Sequence, residues 1–221
     1  MGKKQESKKP VKVQPAQKMQ GRRPTARSEK TRLQVLNAAA LCITQQGFAA
    51  ASTILIAQQA GVSWGVLQYH FGDKDGLMTA VLEYSMEQTE NRLNNLITTG
   101  FTADTPVERL RALTREAWKI YSSPLARAAT EIVINNRNKW QDDEEKDRFL
   151  LDLDKAQIGL ARRVIFCAIN DKKLANMLAG IFLATLHGLE VRLLLYNSEH
   201  TLPRELDTLA EVLAAYVTRE G

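Results

Sequence analysis

The chain has 221 residues, 44% of them hydrophobic and 25% charged, enough apolar material to bury a core in one large domain or two small ones. Its formal net charge of +5 is unevenly placed: residues 1–24 hold eight basic residues against Glu6 alone, which leaves the remainder slightly acidic. The basic start lacks the apolar segment of a secretory signal, and no apolar run reads as long enough to cross a bilayer. Cys42 and Cys167 have no paired metal or redox spacing and read as two buried, reduced thiols, so the expected compartment is cytoplasmic.

Residues 1–24 contain Pro10, Pro15 and Pro24 and little that is apolar, and read as a disordered basic arm able to reach DNA phosphates or a minor groove. Arg22 and Arg23, nearest the folded part, are the arm's candidates for DNA contact. Leu33, Leu36, Ala40 and Ile43 recur at spacings of three and four, which predicts a helix over 26–46 with Gly47 as its stop. Ser52 caps a short helix of about 53–60 that ends at Gly61, and Ser63 caps another of about 64–70 that ends at Gly72. Asp73 then opens a long helix of about 74–98. Thr105-Pro106 and Ser123-Pro124 each pair an N-cap with a first-turn proline, opening helices of about 106–121 and 124–139. The acidic cluster from Asp142 to Glu145 favours a helix start, giving about 145–169. Helices of about 172–196 and 203–219 complete an all-α chain of about nine helices. The expected organisation is a helix-turn-helix domain over 25–75 and a helical domain over 76–221.

The segment Ser52–Phe71 carries the clearest signal. Ile56 and Ala57 turn inward, Ala60 is small enough for a second helix to cross closely, Gly61 relieves the turn, and Val62, Val66 and Leu67 can also face inward. Trp64, Gly65, Gln68, Tyr69 and His70 are left to project elsewhere, as on a helix that enters a major groove. Gln68 can offer adenine a bidentate amide. Ser52 and Thr53 can donate hydroxyls to the DNA backbone, and Trp64 reads as a packing residue slightly ahead of a groove-edge contact.

These residues carry a family resemblance. Thr31-Arg32, Ala38-Ala39, Gly47-Phe48, Ile56-Ala57, Ala60-Gly61-Val62-Ser63, Tyr69-His70-Phe71, Lys74, Leu77 and Ala80-Val81-Leu82 fall in order and at the right spacing, so that residues 28–82 resemble the DNA-binding domain of the TetR family of bacterial regulators. The resemblance implies that Ser63, Trp64, Gly65, Gln68, Tyr69 and His70 occupy the recognition helix and its entry. It also implies phosphate contacts from Tyr69, His70 and Lys74, with Thr31 and Arg32 bracing or touching the DNA backbone. Ile54 and Leu55 depart from the family's usual polar or acidic residues, and Trp64 from its small or basic ones. The resemblance further implies a double-stranded DNA operator and a small-molecule effector held among the middle helices. The protein would be a repressor released when that effector shifts the helix of 74–98.

Two largely apolar stripes close the chain, one through Leu174, Leu178, Ile181, Phe182, Thr185, Leu186, Leu189 and Leu193, the other through Leu206, Leu209, Ala210, Leu213 and Val217. Their width exceeds what one core needs and predicts a homodimer through these two helices, with Gly180, Ala184 and Gly188 allowing close approach. Two recognition helices reaching successive major grooves require the same symmetry. Candidate effector contacts are Trp118, Tyr121, Ile132, Trp140, Phe149, Phe166 and His187, with the charged pairs Arg162-Arg163 and Glu190-Arg192 as possible anchors. His70, His187 and His200 belong to no nucleophile elbow, metal pair or phosphate loop, so neither an enzyme nor a bound metal or cofactor is expected. The alternative reading is a non-specific DNA-binding or interaction module driven by the basic arm.

Overall fold

The structure, a computed structural model, describes residues 25–101, 103–196 and 202–220, and Arg22 and Arg23 lie outside that range. The described residues form nine helices: α1 (Ala26–Gln46), α2 (Thr53–Gln59), α3 (Trp64–Phe71), α4 (Lys74–Thr99), α5 (Pro106–Tyr121), α6 (Pro124–Gln141), α7 (Glu144–Ile169), α8 (Lys172–Tyr196) and α9 (Leu202–Glu220). Side chains the sequence offers as caps start most of them. Thr25, Ser52, Ser63, Asp73, Thr105, Ser123 and Asp143 each accept a hydrogen bond from a backbone N–H of the following first turn. At α5 the arrangement is reciprocal, Glu108 reaching back to the Thr105 N–H.

Buried side chains gather into two clusters. The first joins the C-terminal half of α1 (Leu36, Ala39, Ile43) to Ile56 and Ala57 of α2, Leu67 of α3 and Leu77, Met78 and Val81 of α4. It also takes in Ala128, Ile132 and Trp140 of α6, so the helix-turn-helix unit shares its core with an element far along the chain. The second cluster packs α5, the C-terminal half of α7, α8 and α9, with Leu93 of α4 against it. α4 therefore belongs to both clusters.

Three polar links join helices around the first cluster. The Phe48 N–H donates to Glu131 Oε1 of α6 at 2.6 Å, Lys146 Nζ of α7 donates to Thr79 Oγ1 of α4 at 2.6 Å, and Lys139 of α6 pairs with Asp75 at the start of α4.

Several side chains sit differently from their predicted places. Leu33 and Val66 are exposed, because α1 packs only through its later turns and α3 buries Leu67 alone. Cys42 is buried as expected, its Sγ donating to Gln59 Oε1 at 2.7 Å, but Cys167 is exposed on the outer side of α7. Contrary to the sequence reading, α8 is long and apolar enough, by length and composition alone, to cross a membrane. Its composition has a local cause: Leu174, Leu178, Phe182, Leu186, Leu189 and Leu193 fill the second cluster.

Candidate nucleic-acid interface and ligand cavity

α2 and α3 meet across a turn whose Gly61 has φ +65°, a conformation costly for any residue with a Cβ. Val62 N–H donates to Ala57 O and packs its half-buried side chain on the core, which fixes where α3 starts. The Ser63 Oγ accepts from Val66 N–H at 3.3 Å and the Ser52 Oγ from Leu55 N–H at 3.2 Å. α3 has only eight residues, too few to persist alone, so the cap, the buried Leu67 and the break at Gly72 define it.

Those anchors present the opposite face to solvent. Trp64, Gly65, Gln68 and Tyr69 are exposed, Trp64 by 51% and Tyr69 by 72%. The packing role expected for Trp64 is thus not the one it has; its indole stands open beside the entry of α3. Exposed Ser52 and half-buried Thr53 mark the start of α2, where Ile54 is also exposed.

His70 is half-buried between Tyr69 and Phe71, with ring centroids 5.3 and 5.9 Å away. Burial, and secondarily the Arg32 charge, push its pKa below the ordinary histidine value, while Glu29 opposes them. The imidazole is thereby biased toward its neutral form, able to donate one N–H but without a full charge to offer a phosphate.

Two basic residues expected near DNA are turned toward aromatic rings. The Arg32 guanidinium lies 5.8 Å from the Phe71 ring centroid, which makes it a brace between α1 and α3. Lys74 Nζ lies 4.7 Å from the Phe48 ring centroid and donates to Phe48 O at 3.5 Å. Thr31 Oγ1 donates to Arg27 O at 3.0 Å. Arg27, Lys30, Thr31 and Gln34 line an open cleft whose other wall is Gly61, Val62, Ser63 and Val66. Arg27 and Lys30 were not singled out in the sequence, although their spacing of three places them on one helix face with Thr31 and Gln34 beside them.

The predicted effector residues separate into different places. Ile132 and Trp140 are buried in the first cluster with Phe149 packed against it, Trp118 lies toward α9 beside Pro203 and Leu206, and Phe166 is exposed. Tyr121 and His187 alone of the seven line one cavity of about 300 Å³ among α4, α5, α6, α7 and α8. Their rings meet edge to face at 5.4 Å. Leu82, Met86, Val133 and Leu153 supply apolar wall, and Ser85, Thr89, Thr130, Asp154, Gln157 and Glu190 supply polar atoms.

Glu190 is only 1% exposed, and its Oε1 has no hydrogen-bond partner. Burial pushes its carboxyl up to about 7, with the Thr130 hydroxyl and then the Arg127 charge pulling it partly back. Burial, aided by the Glu190 charge, also raises the Tyr121 hydroxyl. It lowers the His187 imidazole against the opposing charge of Asp154. The other charged anchors expected from sequence are used elsewhere: Arg163 pairs with Glu90 at 3.3 Å and Arg192 with Glu205, while Arg162 is exposed.

Residues 35–81 match the family model of the bacterial regulatory proteins of the tetR family. The HTH-type transcriptional regulator BetI of Pectobacterium atrosepticum is 37% identical over 86 residues, which are 37% of this chain and 42% of that protein. The HTH-type transcriptional regulator UidR of Escherichia coli is 32% identical over 91 residues, 41% of this chain and 46% of that protein. The chain thus matches less than half the length of these curated relatives. Over most of the chain the likeness is one of fold. The TetR family transcriptional regulator PfmR of Thermus thermophilus superposes with a TM-score of 0.58 at 14% identity, covering 82% of this chain and 97% of that one. The transcriptional regulator FadR of Bacillus subtilis, solved in complex with stearoyl-CoA, gives 0.61 at 16% identity over 82% and 97%.

Proposed function

Because the chain belongs to the TetR family of bacterial regulators, we propose that it acts in the cytoplasm as a homodimeric, sequence-specific repressor, released from its operator by a small molecule bound among the middle helices. The observation that carries this reading is the division of α3: Leu67 is buried while Trp64, Gly65, Gln68 and Tyr69 stand exposed on a helix rigidly seated by its neighbours. In the bound state α3 enters the major groove. Gln68 reads a base edge, and the hydroxyls of Tyr69, Ser52, Thr53 and Ser63 and the His70 N–H contact phosphates. Arg27 and Lys30, beside Thr31, supply charge to the backbone near the turn. Lys74 adds a further phosphate contact if its ammonium leaves Phe48, and Arg22 and Arg23 of the arm extend the contact.

Effector binding acts through α4, which lines the cavity at Leu82, Ser85, Met86 and Thr89 and begins directly after the recognition helix. It works only if the effector binds the DNA-competent and released arrangements with different affinity. The test is a footprint on DNA flanking the protein's own gene, at physiological salt with competitor DNA. The expected result is a protected two-fold-symmetric site, and Gln68→Ala should weaken it about 5- to 150-fold while leaving non-specific binding unchanged. Uniform, salt-sensitive coating abolished by deleting residues 1–21 is the result expected instead of a binder driven by its basic arm.

A further inference from the structure

The cavity among α4, α5, α6, α7 and α8 is selective in its charge. Its formally charged lining residues are Glu190 and Asp154, and among the described residues neither lysine nor arginine lines it. Burying a carboxyl at 1% exposure with one oxygen unpartnered is costly, and the cost falls when a bound group supplies positive charge. Tyr121 and His187 offer ring faces or edges beside it, and the remaining wall is largely aliphatic. We infer that the cavity takes a compact organic cation with an apolar body, its charge set against Glu190 and its body against the wall of α4 and α6. This inference rests on the proposed effector role of the cavity and names the ligand class that role uses.

Apart from the Arg127 charge, which does not line the cavity, the groups facing Glu190 fit that occupant. From α6 come Thr130 and the Arg127 charge, from α5 Tyr121, from α7 Asp154, and from α8 itself His187. α4 contributes Ser85 and Thr89, which do not titrate in this range. Among the described residues no ion pair within 4 Å joins Arg127 to Glu190, so its charge moderates the carboxyl from a distance without pairing with it. A neutral donor would satisfy the orphan oxygen, but it would leave two acids facing a ligand that neutralises neither. An anionic ligand would add repulsion in a site where water screens poorly.

Isothermal titration calorimetry on the full-length protein without DNA tests the idea with three probes: benzyltrimethylammonium, the uncharged N,N-dimethylbenzamide and the anion 3-phenylpropionate. The cation should bind at least about tenfold more tightly than the amide, and the anion should give no detectable heat. Because Glu190 titrates near pH 7, cation affinity should rise on the order of five- to tenfold from pH 6 to pH 8, with amide affinity flat. Glu190→Gln should reduce the cation's advantage to less than about threefold. Should that variant fail to fold by circular dichroism, the wild-type probe series at the two pH values decides the matter. Equal affinity for cation and amide, tighter binding of the anion, a pH-independent cation affinity, or no cation binding up to millimolar concentration would each overturn the inference. Each readout is independent of DNA, so such a failure leaves the footprint standing, and a failed footprint leaves the cation site standing.

Discussion

Glu190 shows how one residue can tie stability to the proposed cation site. Its carboxyl titrates near 7 in the folded chain and in the ordinary range near 4.5 when exposed, so the folded state holds the proton more tightly. Between those values the native protein binds more protons than the unfolded one, and stability falls as pH rises from about 4.5 to 7. Above 7 the full cost of ionising a buried carboxyl is present, on the order of 3 kcal/mol for a shift of this size. Glu190→Gln removes the ionisation but keeps the shape. Its melting temperature should exceed that of the wild type at pH 8, and the gap should close by pH 5. A gap that is the same at both pH values would mean the carboxyl does not carry this penalty. The position was partly legible in the sequence: Glu190 lies four residues after Leu186 and three before Leu193, on the buried stripe of α8. Arg192 lies off that stripe and pairs with Glu205 instead. Periodicity could thus separate Glu190 from its neighbour, but not show that its stripe also borders a cavity, which depends on four other helices meeting there.

Helix ends were legible because their chemistry is local. Thr105-Pro106, Ser123-Pro124 and the serines of α2 and α3 mark starts by cap and backbone geometry, and the structure begins helices at those places. Packing partners were not legible in the same way. Ile132 and Trp140 carry the same apolar signal as Tyr121, yet α6 presses them against α1 and α4 rather than into the cavity. A helix with apolar residues on two faces does not say which neighbour takes which face. The α1–α6 junction also has a polar clasp, the Phe48 N–H donated to Glu131 Oε1. A hydrogen bond to a charged acceptor contributes about 1.5–3 kcal/mol, and leaving the half-buried N–H alone adds to the loss. Glu131→Ala should therefore lower the melting temperature by roughly 4–8 °C and speed hydrogen exchange at the Phe48 amide. Glu131→Gln, which keeps an acceptor, should lose less. An unchanged Phe48 exchange rate in Glu131→Ala would show that α6 does not hold the end of α1 in place.

At the scale of the whole molecule, the helices of the second cluster leave apolar residues uncovered. Met177 and Ile181 of α8 are exposed, Ile181 by 60%, and so are Val212 and Tyr216 of α9. On α8, Gly180, Ala184 and Gly188 form a low, exposed strip at intervals of four, with open space where the two glycines would carry a Cβ. The residues that hold the monomer together, Leu178, Phe182, Leu186, Leu209 and Leu213, lie on the other side of the same two helices. An apolar face of this kind, built on helices already rigid in the monomer, suits self-association about a two-fold axis, where the strip lets a second copy of α8 approach closely. The same axis would set two α3 helices about 34–36 Å apart to reach successive major grooves. Ala184→Arg tests both consequences, because the side chain enters the proposed interface without touching the monomer core. Circular dichroism should be unchanged, the mass by light scattering at micromolar concentration should fall from dimer to monomer, and the footprint should disappear at concentrations where the wild type protects fully. A variant that remains dimeric would move the interface to another face. One that becomes monomeric yet still protects a two-fold site at the wild-type concentration would separate DNA recognition from dimerisation and remove the geometric link between the two ends of the molecule.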